Sequence, residues 1–181
     1  MSKKSLRDQS SGYLVKDNLV LGAEVFVMKK QRIVESVTVL KPMYTRLRDW
    51  KIVEFSKLEG VWVSEEFNMR DVEWKLKLYP NGYFDSNGDV SSKGNAMSMS
   101  LVCVSAEKFT VHQKVKAKFH MRLKGRSDHD SGKLSHWFTS SSTCCGQSAF
   151  ISLAKLRDPE NGFLVDDCCT VQVEIFVQLV A

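Results

Sequence analysis

The sequence lacks any long apolar run. No stretch approaches the about 18 consecutive apolar residues of a membrane-spanning helix. The polar start, Met1–Ser5, leads into no hydrophobic signal segment. We therefore expect a cytoplasmic protein that has no membrane partner and is not stabilised by structural disulfides.

The chain lacks a cysteine arrangement that suggests a disulfide framework. Cys103 stands alone, and the other four form the adjacent pairs Cys144-Cys145 and Cys168-Cys169. An odd count with adjacent pairs is not typical of disulfide-rich domains. Neighbouring residues of a strand point to opposite faces, so such a pair cannot easily chelate one metal ion. We interpret the five residues as buried or half-buried thiols in a reducing compartment.

Signatures of catalysis are also missing. The chain has no glycine-rich phosphate loop and no glycine-flanked nucleophile turn. His136 and Cys145 are nine residues apart, on a predicted strand and a predicted loop, which is no nucleophile–base signature. Asp128-His129-Asp130 offers metal-ligand chemistry, but such a triplet in a Ser/Gly-rich loop more often interacts with solvent. We expect no enzymatic activity, no metal ion and no cofactor.

Positive charge is not concentrated enough to indicate a nucleic-acid partner. The net charge is +5, and residues 1–58 carry 12 Lys/Arg against 6 Asp/Glu. Residues 59–181 carry 14 Lys/Arg against 15 Asp/Glu, so the main body is almost neutral. A nucleic-acid-binding domain concentrates its lysines and arginines on one face. We therefore expect no nucleic acid among the partners.

Alternation of apolar and polar residues is the dominant pattern in the chain. A period of two indicates half-buried strands, and the clearest runs are residues 72–78, 115–123 and 171–179. Shorter strands are predicted at residues 50–55, 61–67, 97–104 and 134–139, with one helical turn within 149–156. Seven or eight short strands without helix–strand alternation predict an all-β fold, an antiparallel β-sandwich.

The same alternation predicts which side chains fill the core. One phase of each long run is apolar, and the other phase is mostly charged in residues 72–78 and 115–123. The predicted core residues are Trp74, Leu76, Leu78, Phe119, Met121, Val173 and Ile175.

The polar phase of residues 114–124 is strongly basic. It consists of Lys114, Lys116, Lys118, His120, Arg122 and Lys124. A solvated outer face that protects a sheet from aggregation is one interpretation of this pattern. A docking face for an acidic partner is the second, and nucleic-acid binding is the third, although no aromatic residue interleaves the charges for base stacking.

An internal repeat relates the two ends of the chain. Residues 6–27 and 156–177 align without a gap at an offset of 150, with ten of 22 positions identical. The first 30 residues therefore resemble the C-terminal end of a preceding unit. We interpret residues 1–30 as a remnant of that unit, residues 31–44 as a linker and residues 45–181 as one complete domain. An unpaired apolar segment favours association, so we expect residues 13–27 to dock or to self-associate.

The domain resembles the MATH (meprin and TRAF homology), or TRAF-like, family, and in particular plant proteins that carry two such domains in tandem. The motifs at its start are Trp50-Lys51-Ile52, Phe55-Ser56-Lys57-Leu58, Ser64–Phe67 and Trp74–Gly82. Those at its end are Phe150–Leu153, Gly162–Asp167 and Val173–Val177. The resemblance implies an eight-stranded antiparallel sandwich that serves as an interaction module rather than as an enzyme.

The resemblance also implies a peptide-binding groove. Adaptor members of the family hold a short peptide in a shallow groove across one sheet, by addition to a strand edge. Matching positions here are Ser100, Phe119, Trp137, Cys145, Gly146 and Gln147. The strand phase of Phe119 is equally consistent with the core. Adaptor members have Trp-Gly-aromatic where this chain has Cys145-Gly146-Gln147, so their peptide specificity does not transfer.

Two functions remain open from the sequence. The first is an adaptor or scaffold that binds peptide segments of partner proteins, with ubiquitin-dependent turnover as one setting. The alternative is a truncated product of a tandem protein that has lost its binding activity.

Overall fold

A computed structural model describes residues 45–82 and 94–180 of the chain, the pair Thr38–Val39, and six isolated positions. Those positions are Arg7, Asp8, Ser10, Lys16, Asn18 and Gly22. The proposed remnant, residues 1–30, therefore lies outside the described residues except at these six positions. The same is true of residues 13–27 except Lys16, Asn18 and Gly22.

The described residues form eleven strands and a short helix. The strands are β1 (Thr38–Val39), β2 (Arg46–Ile52), β3 (Trp62–Val63), β4 (Phe67–Met69), β5 (Val72–Tyr79), β6 (Ala96–Cys103), β7 (Val115–Leu123), β8 (His129–Asp130), β9 (Leu134–Phe138), β10 (Cys144–Ser152) and β11 (Cys169–Val180). Helix α1 (Leu153–Arg157) follows β10, and its first turn is capped by the Ser152 hydroxyl, which accepts from the Lys155 amide at 3.2 Å. None of the helices in this part of the chain is long and apolar enough to cross a membrane.

The strands form two antiparallel sheets. In sheet 1, β11 lies between β7 and the collinear strands β2 and β1, and the far side of β7 pairs with β9 and β8. In sheet 2, β6 lies between β10 and β5, and the far side of β5 pairs with β3 and β4. Each sheet is thus four strand positions wide. The predicted all-β, eight-stranded sandwich is confirmed, with several positions shared by two short strands.

The core lies between the inner faces of the two sheets. Strand β5 alternates buried and half-buried residues along its whole length, as a strand with one covered face must. All seven predicted core residues are buried, and Trp74 is 0% exposed. Its ring contacts Phe138 of sheet 1 edge to face, with centroids 4.9 Å apart, and this contact joins the two sheets.

Three details differ from the sequence predictions. Strand β10 runs from Cys144 to Ser152, where no period-two strand was predicted and Cys145 was assigned to a loop. The predicted helical turn at 149–156 begins only at Leu153, because residues 149–152 complete β10. Within the predicted linker, Thr38–Val39 pair with Leu179 and Val180 of β11.

The buried indole of Trp74 provides a test of this core. Its Nε1 has no hydrogen-bond partner among the described residues. Trp74→Ala should therefore lower the free energy of unfolding by about 3–5 kcal/mol through the cavity it leaves. Trp74→Phe should cost less than about 1.5 kcal/mol, because it keeps an aromatic ring and removes the unpaired N–H. Urea unfolding of both variants measures the difference, and equal losses would contradict this packing.

Candidate functional site

The outer face of sheet 2 carries a groove of about 320 Å³. It crosses the three strands β5, β6 and β10. The residues that line it are Lys77, Tyr79, Ser98, Met99, Ser100, Val102, Glu107, Thr143, Cys144, Cys145, Gly146, Gln147 and Ser148.

Small side chains on the central strand make the groove deep. The outward positions of β6 are Ser98, Ser100 and Val102, and the adjacent β5 presents the longer Lys77 and Tyr79. The floor is therefore lower than the side formed by β5. The Ser98 hydroxyl donates to the carbonyl oxygen of Ser148 on β10, which satisfies a buried polar group and ties the floor to the edge strand.

Gly146 lets β10 approach β6 closely. A Cβ atom at this position would overlap the Met99 carbonyl oxygen and the Ser100 Cα, and it would lie 2.6 Å from the Ser100 Cβ. These obstacles are mainly backbone, so they cannot rotate away. The residue is glycine because of this close contact between strands.

Strand β10 is an edge strand of sheet 2. Within the described residues it pairs with β6 alone. The Cys103 amide donates to the Thr143 carbonyl at 2.9 Å. Antiparallel pairing alternates between residues, so Cys145 and Gln147 turn their backbone groups toward β6, while Cys144 and Gly146 turn theirs away. Among residues 45–82 and 94–180, the outward backbone groups of Cys144 and Gly146 pair with no other strand, so the first half of β10 is an open edge beside the groove.

The second half of β10 is covered by the segment before β9. The Gln147 side chain donates to the Ser131 carbonyl at 3.1 Å, and His129 Nε2 lies 2.6 Å from the Phe150 carbonyl. The register with β6 also shifts between Gln147 and Ile151. The open edge is consequently restricted to the neighbourhood of Cys144 and Gly146.

The structure brings four of the six sequence-predicted site residues together. All four border the groove, but only Ser100 and Gly146 lie on its face of the sheet. Cys145 and Gln147 pair with the buried Leu101 and Met99, so their side chains point to the opposite face. Phe119 is 1% exposed in the core, as its strand phase predicted.

Trp137 lies on β9 of sheet 1 and is not among the residues that line the groove. Lys114 and Lys116 are placed over its ring. Its neighbours are therefore the basic residues of β7.

Several groove residues were not identified from the sequence. Lys77 and Tyr79 were recognisable as the polar phase of β5, and Ser98 as a small polar residue in an apolar run. Glu107 and Cys144 had no such signal, because the first belongs to a 3-10 turn and the second to the unpredicted strand β10.

The candidate catalytic groups do not form a reactive arrangement. His136 Nε2 lies 2.9 Å from the Ser142 hydroxyl, and no hydrogen bond joins His136 to Cys145 in the part of the chain that the structure describes. Burial lowers the pKa of His136. Burial, with a smaller contribution from Cys144, raises the pKa of Cys145. A thiol with a raised pKa remains protonated at neutral pH and is a poor nucleophile.

Each residue of the Asp128-His129-Asp130 triplet contacts another part of the domain. Asp128 binds Lys124 at 2.7 Å, His129 contacts the Phe150 carbonyl, and Asp130 binds Arg122 at 2.8 Å. No group of three or more potential metal ligands occurs among residues 45–82, 94–180 and the other described positions.

Comparison with known proteins agrees with this architecture. The MATH domain family matches residues 49–175, which is more than half of the chain. The chain therefore belongs to the MATH domain family, as its motifs indicated. Membership in this family makes it a protein–protein interaction module.

Two relatives from Arabidopsis thaliana show the extent of the likeness. The chain is 30% identical over 132 residues to a MATH domain and coiled-coil domain-containing protein, covering 71% of this chain and 44% of the relative. It is 28% identical over 130 residues to the protein RESTRICTED TEV MOVEMENT 3, covering 71% of this chain and 42% of the relative. The chain thus spans less than half the length of either relative.

Gly146 offers a stability test of the groove. Gly146→Ala should lower the free energy of unfolding by about 1–3 kcal/mol, because the methyl group pushes β10 from β6. Ser148→Thr adds one carbon at an exposed position of the same strand and should change stability by less than about 0.5 kcal/mol. Thermal or urea unfolding compares the two, and a neutral Gly146→Ala would contradict the close approach.

Thiol reactivity tests the placement of the cysteines. Burial raises the pKa of Cys103 to about 11 and, with smaller contributions from Cys168 and Asp167, that of Cys169 to about 12. Since only thiolates react, both should resist iodoacetamide in the native protein at pH 8. Exposed Cys144 should react first, and Cys144→Ser should remove the fastest phase seen by mass spectrometry. Rapid labelling of Cys103 would contradict the fold.

Proposed function

We propose that this MATH domain binds short extended segments of partner proteins in the groove of sheet 2. One observation carries the proposal: the groove with its small floor lies beside the open backbone edge of β10. Edge pairing supplies affinity through main-chain hydrogen bonds, and adjacent pockets supply specificity for alternate side chains. Cys144 and Gly146 provide the edge, and Ser98, Ser100 and Val102 provide the floor.

The chemistry of the groove favours a partner segment with small or uncharged side chains. The floor offers space above two serines and a valine, and the surrounding charges are one lysine, Lys77, and one glutamate, Glu107. Neither sign dominates, so a strongly charged segment gains little here. Shape and main-chain pairing should therefore decide which segment binds.

Affinity should be modest. The residues of β10 that face the groove are Cys144, Gly146 and Ser148. None of them is aromatic, and an aromatic anchor is worth about 2 kcal/mol or more. We expect dissociation constants in the micromolar range, corresponding to about −8 kcal/mol.

The role that fits such a module is that of an adaptor or scaffold. By resemblance to adaptor members of the family, its partners would include proteins of the ubiquitin system. Proteins whose segments bind in the groove would then be directed to turnover. Residues 13–27, which resemble the end of the domain, would add self-association. The relatives are more than twice as long as the region they share with this chain. The partners of the whole protein are therefore proposed here from the MATH domain alone.

Selection of peptides from a random library on the full chain tests the proposal. Selected peptides should bind the native protein, and Ser100→Phe, which fills the floor, should weaken binding about tenfold or more. Ser135→Phe, on the outer face of sheet 1, is the matched control and should leave binding unchanged. N-methylation of alternate peptide amides should also abolish binding if the edge of β10 is used.

Two results would contradict the proposal. Failure to select any peptide would favour the alternative of a product that has lost its binding activity. Equal weakening by Ser100→Phe and Ser135→Phe would show that the groove is not where the peptide binds.

A further inference from the structure

The basic residues of β7 divide into a paired and an unpaired group. Arg122 binds Asp130 at 2.8 Å and Glu174 at 3.1 Å, and Lys124 binds Asp128 at 2.7 Å. These contacts neutralise the end of β7 near the 125–130 loop. The charge of this end is therefore largely satisfied within the domain.

The other end of the same face has no such partners. Lys114, Lys116 and Lys118 have no carboxylate within 4.0 Å among residues 45–82 and 94–180, and neither does Lys133 just before β9. Lys118 pairs across the sheet with Ser135 on one side and with Phe176 on the other. Three ammonium groups, those of Lys114, Lys116 and Lys118, thus lie along one end of β7 with no carboxylate within 4.0 Å among the described residues. Lys133 lies next to Lys118, in a cavity that Glu174 also lines.

Trp137 holds two of these ammonium groups close together. It is the direct cross-strand partner of Lys116, and the Nζ atoms of Lys116 and Lys114 lie 5.5 Å and 5.3 Å from its ring centroid. Each contact is a cation–π attraction, but two like charges over one ring repel each other. An anion that binds here relieves that repulsion.

We infer that this end of sheet 1 is a second docking surface, which binds a short acidic segment of a partner protein. The surface, called the basic–aromatic face, consists of Lys114, Lys116, Lys118, Lys133, Trp137 and Phe176. Its half-buried rings add apolar contact to the charge, the combination that is typical of binding hot spots. It is on the opposite sheet from the groove and does not depend on peptide binding there.

The spacing of the lysines indicates the form of the partner. Alternate residues of a strand are about 6.8 Å apart, so the lysines at 114 and 118 are separated by about 14 Å. An extended segment of four or five residues has the same repeat. Aspartate or glutamate at every second position would therefore place one carboxylate near each lysine.

Other occupants match the surface less well. A long polyanion such as nucleic acid would continue toward Glu174 and Asp130, which repel it, and the Trp137 ring already carries two ammonium groups. Residues 1–58 of the chain carry a net charge of +6, so the chain's own N-terminal segment has the wrong sign. A short acidic segment over residues 114–118 ends before His120, the residue that pairs with Glu174, and meets neither obstacle.

Fluorescence anisotropy with the full chain tests the inference at about 0.15 M salt. The probes are a labelled ten-residue peptide that alternates Glu with Leu, its Gln counterpart, a ten-nucleotide single-stranded DNA and a vesicle with anionic phospholipid. We expect the Glu peptide to bind and the Gln peptide to bind at least tenfold more weakly. The DNA and the vesicle should bind more weakly than the Glu peptide.

Two double variants with the same change in net charge locate the site. Lys116→Gln with Lys118→Gln should weaken binding of the Glu peptide about tenfold. Lys57→Gln with Lys155→Gln, both exposed on other surfaces, should change it less than twofold. Trp137→Phe should remove the change in tryptophan emission on binding, and Ser100→Phe in the groove should have no effect.

Three results would each overturn the inference. They are equal effects of the two double variants, equal binding of the Glu and Gln peptides, and tighter binding of the DNA or the vesicle than of the Glu peptide. Circular dichroism of every variant confirms that the sandwich is intact. Ser100→Phe changes only the groove. The test of the basic–aromatic face and the test of peptide binding in the groove can therefore fail independently.

Discussion

The packing of Trp74 against Phe138 is the constraint on which the rest of the structure depends. This contact joins the inner faces of the two sheets, and Phe119 lies beside it, with its ring centroid 6.3 Å from that of Phe138. Once one face of each strand is fixed in the core, the alternate residues must point outward. Both the groove and the basic–aromatic face are built from those outward residues.

The fold could be predicted because its strands follow this alternation closely. Strands β5, β7 and β11 have a clean period of two, and all the core residues assigned from them are buried. The two sheets were implied by the number of strands and by the family motifs. The register between strands could not be predicted, because the alternation fixes which face a residue occupies but not its partner.

The candidate site was only partly predictable, for a physical reason. Strand β10 contains Cys144, Cys145, Gly146 and Gln147, whose side chains give no apolar–polar contrast. It is a strand because of its pairing with β6 and because glycine permits close approach there. Tertiary contacts of this kind override local propensity.

The division of the basic residues of β7 into a paired and an unpaired group could not be predicted from the sequence either. Its charges alternate uniformly from Lys114 to Lys124. The carboxylates that neutralise one end come from β8, β11 and the loop before β8, and Trp137 at the other end comes from β9. Trp137 of β9 therefore lies among the lysines, whereas Phe119, the aromatic residue of β7 itself, points into the core.

The central claim is that partner segments bind along β10 and over the floor of the groove. Amide chemical shifts of the full ¹⁵N-labelled chain, recorded during titration with a selected peptide, test it most directly. The account predicts that the largest shifts occur at Ser98, Ser100, Cys144 and Gly146, with little change in β7 and β9. Shifts confined to β7 and β9, or absent from β10, would contradict it.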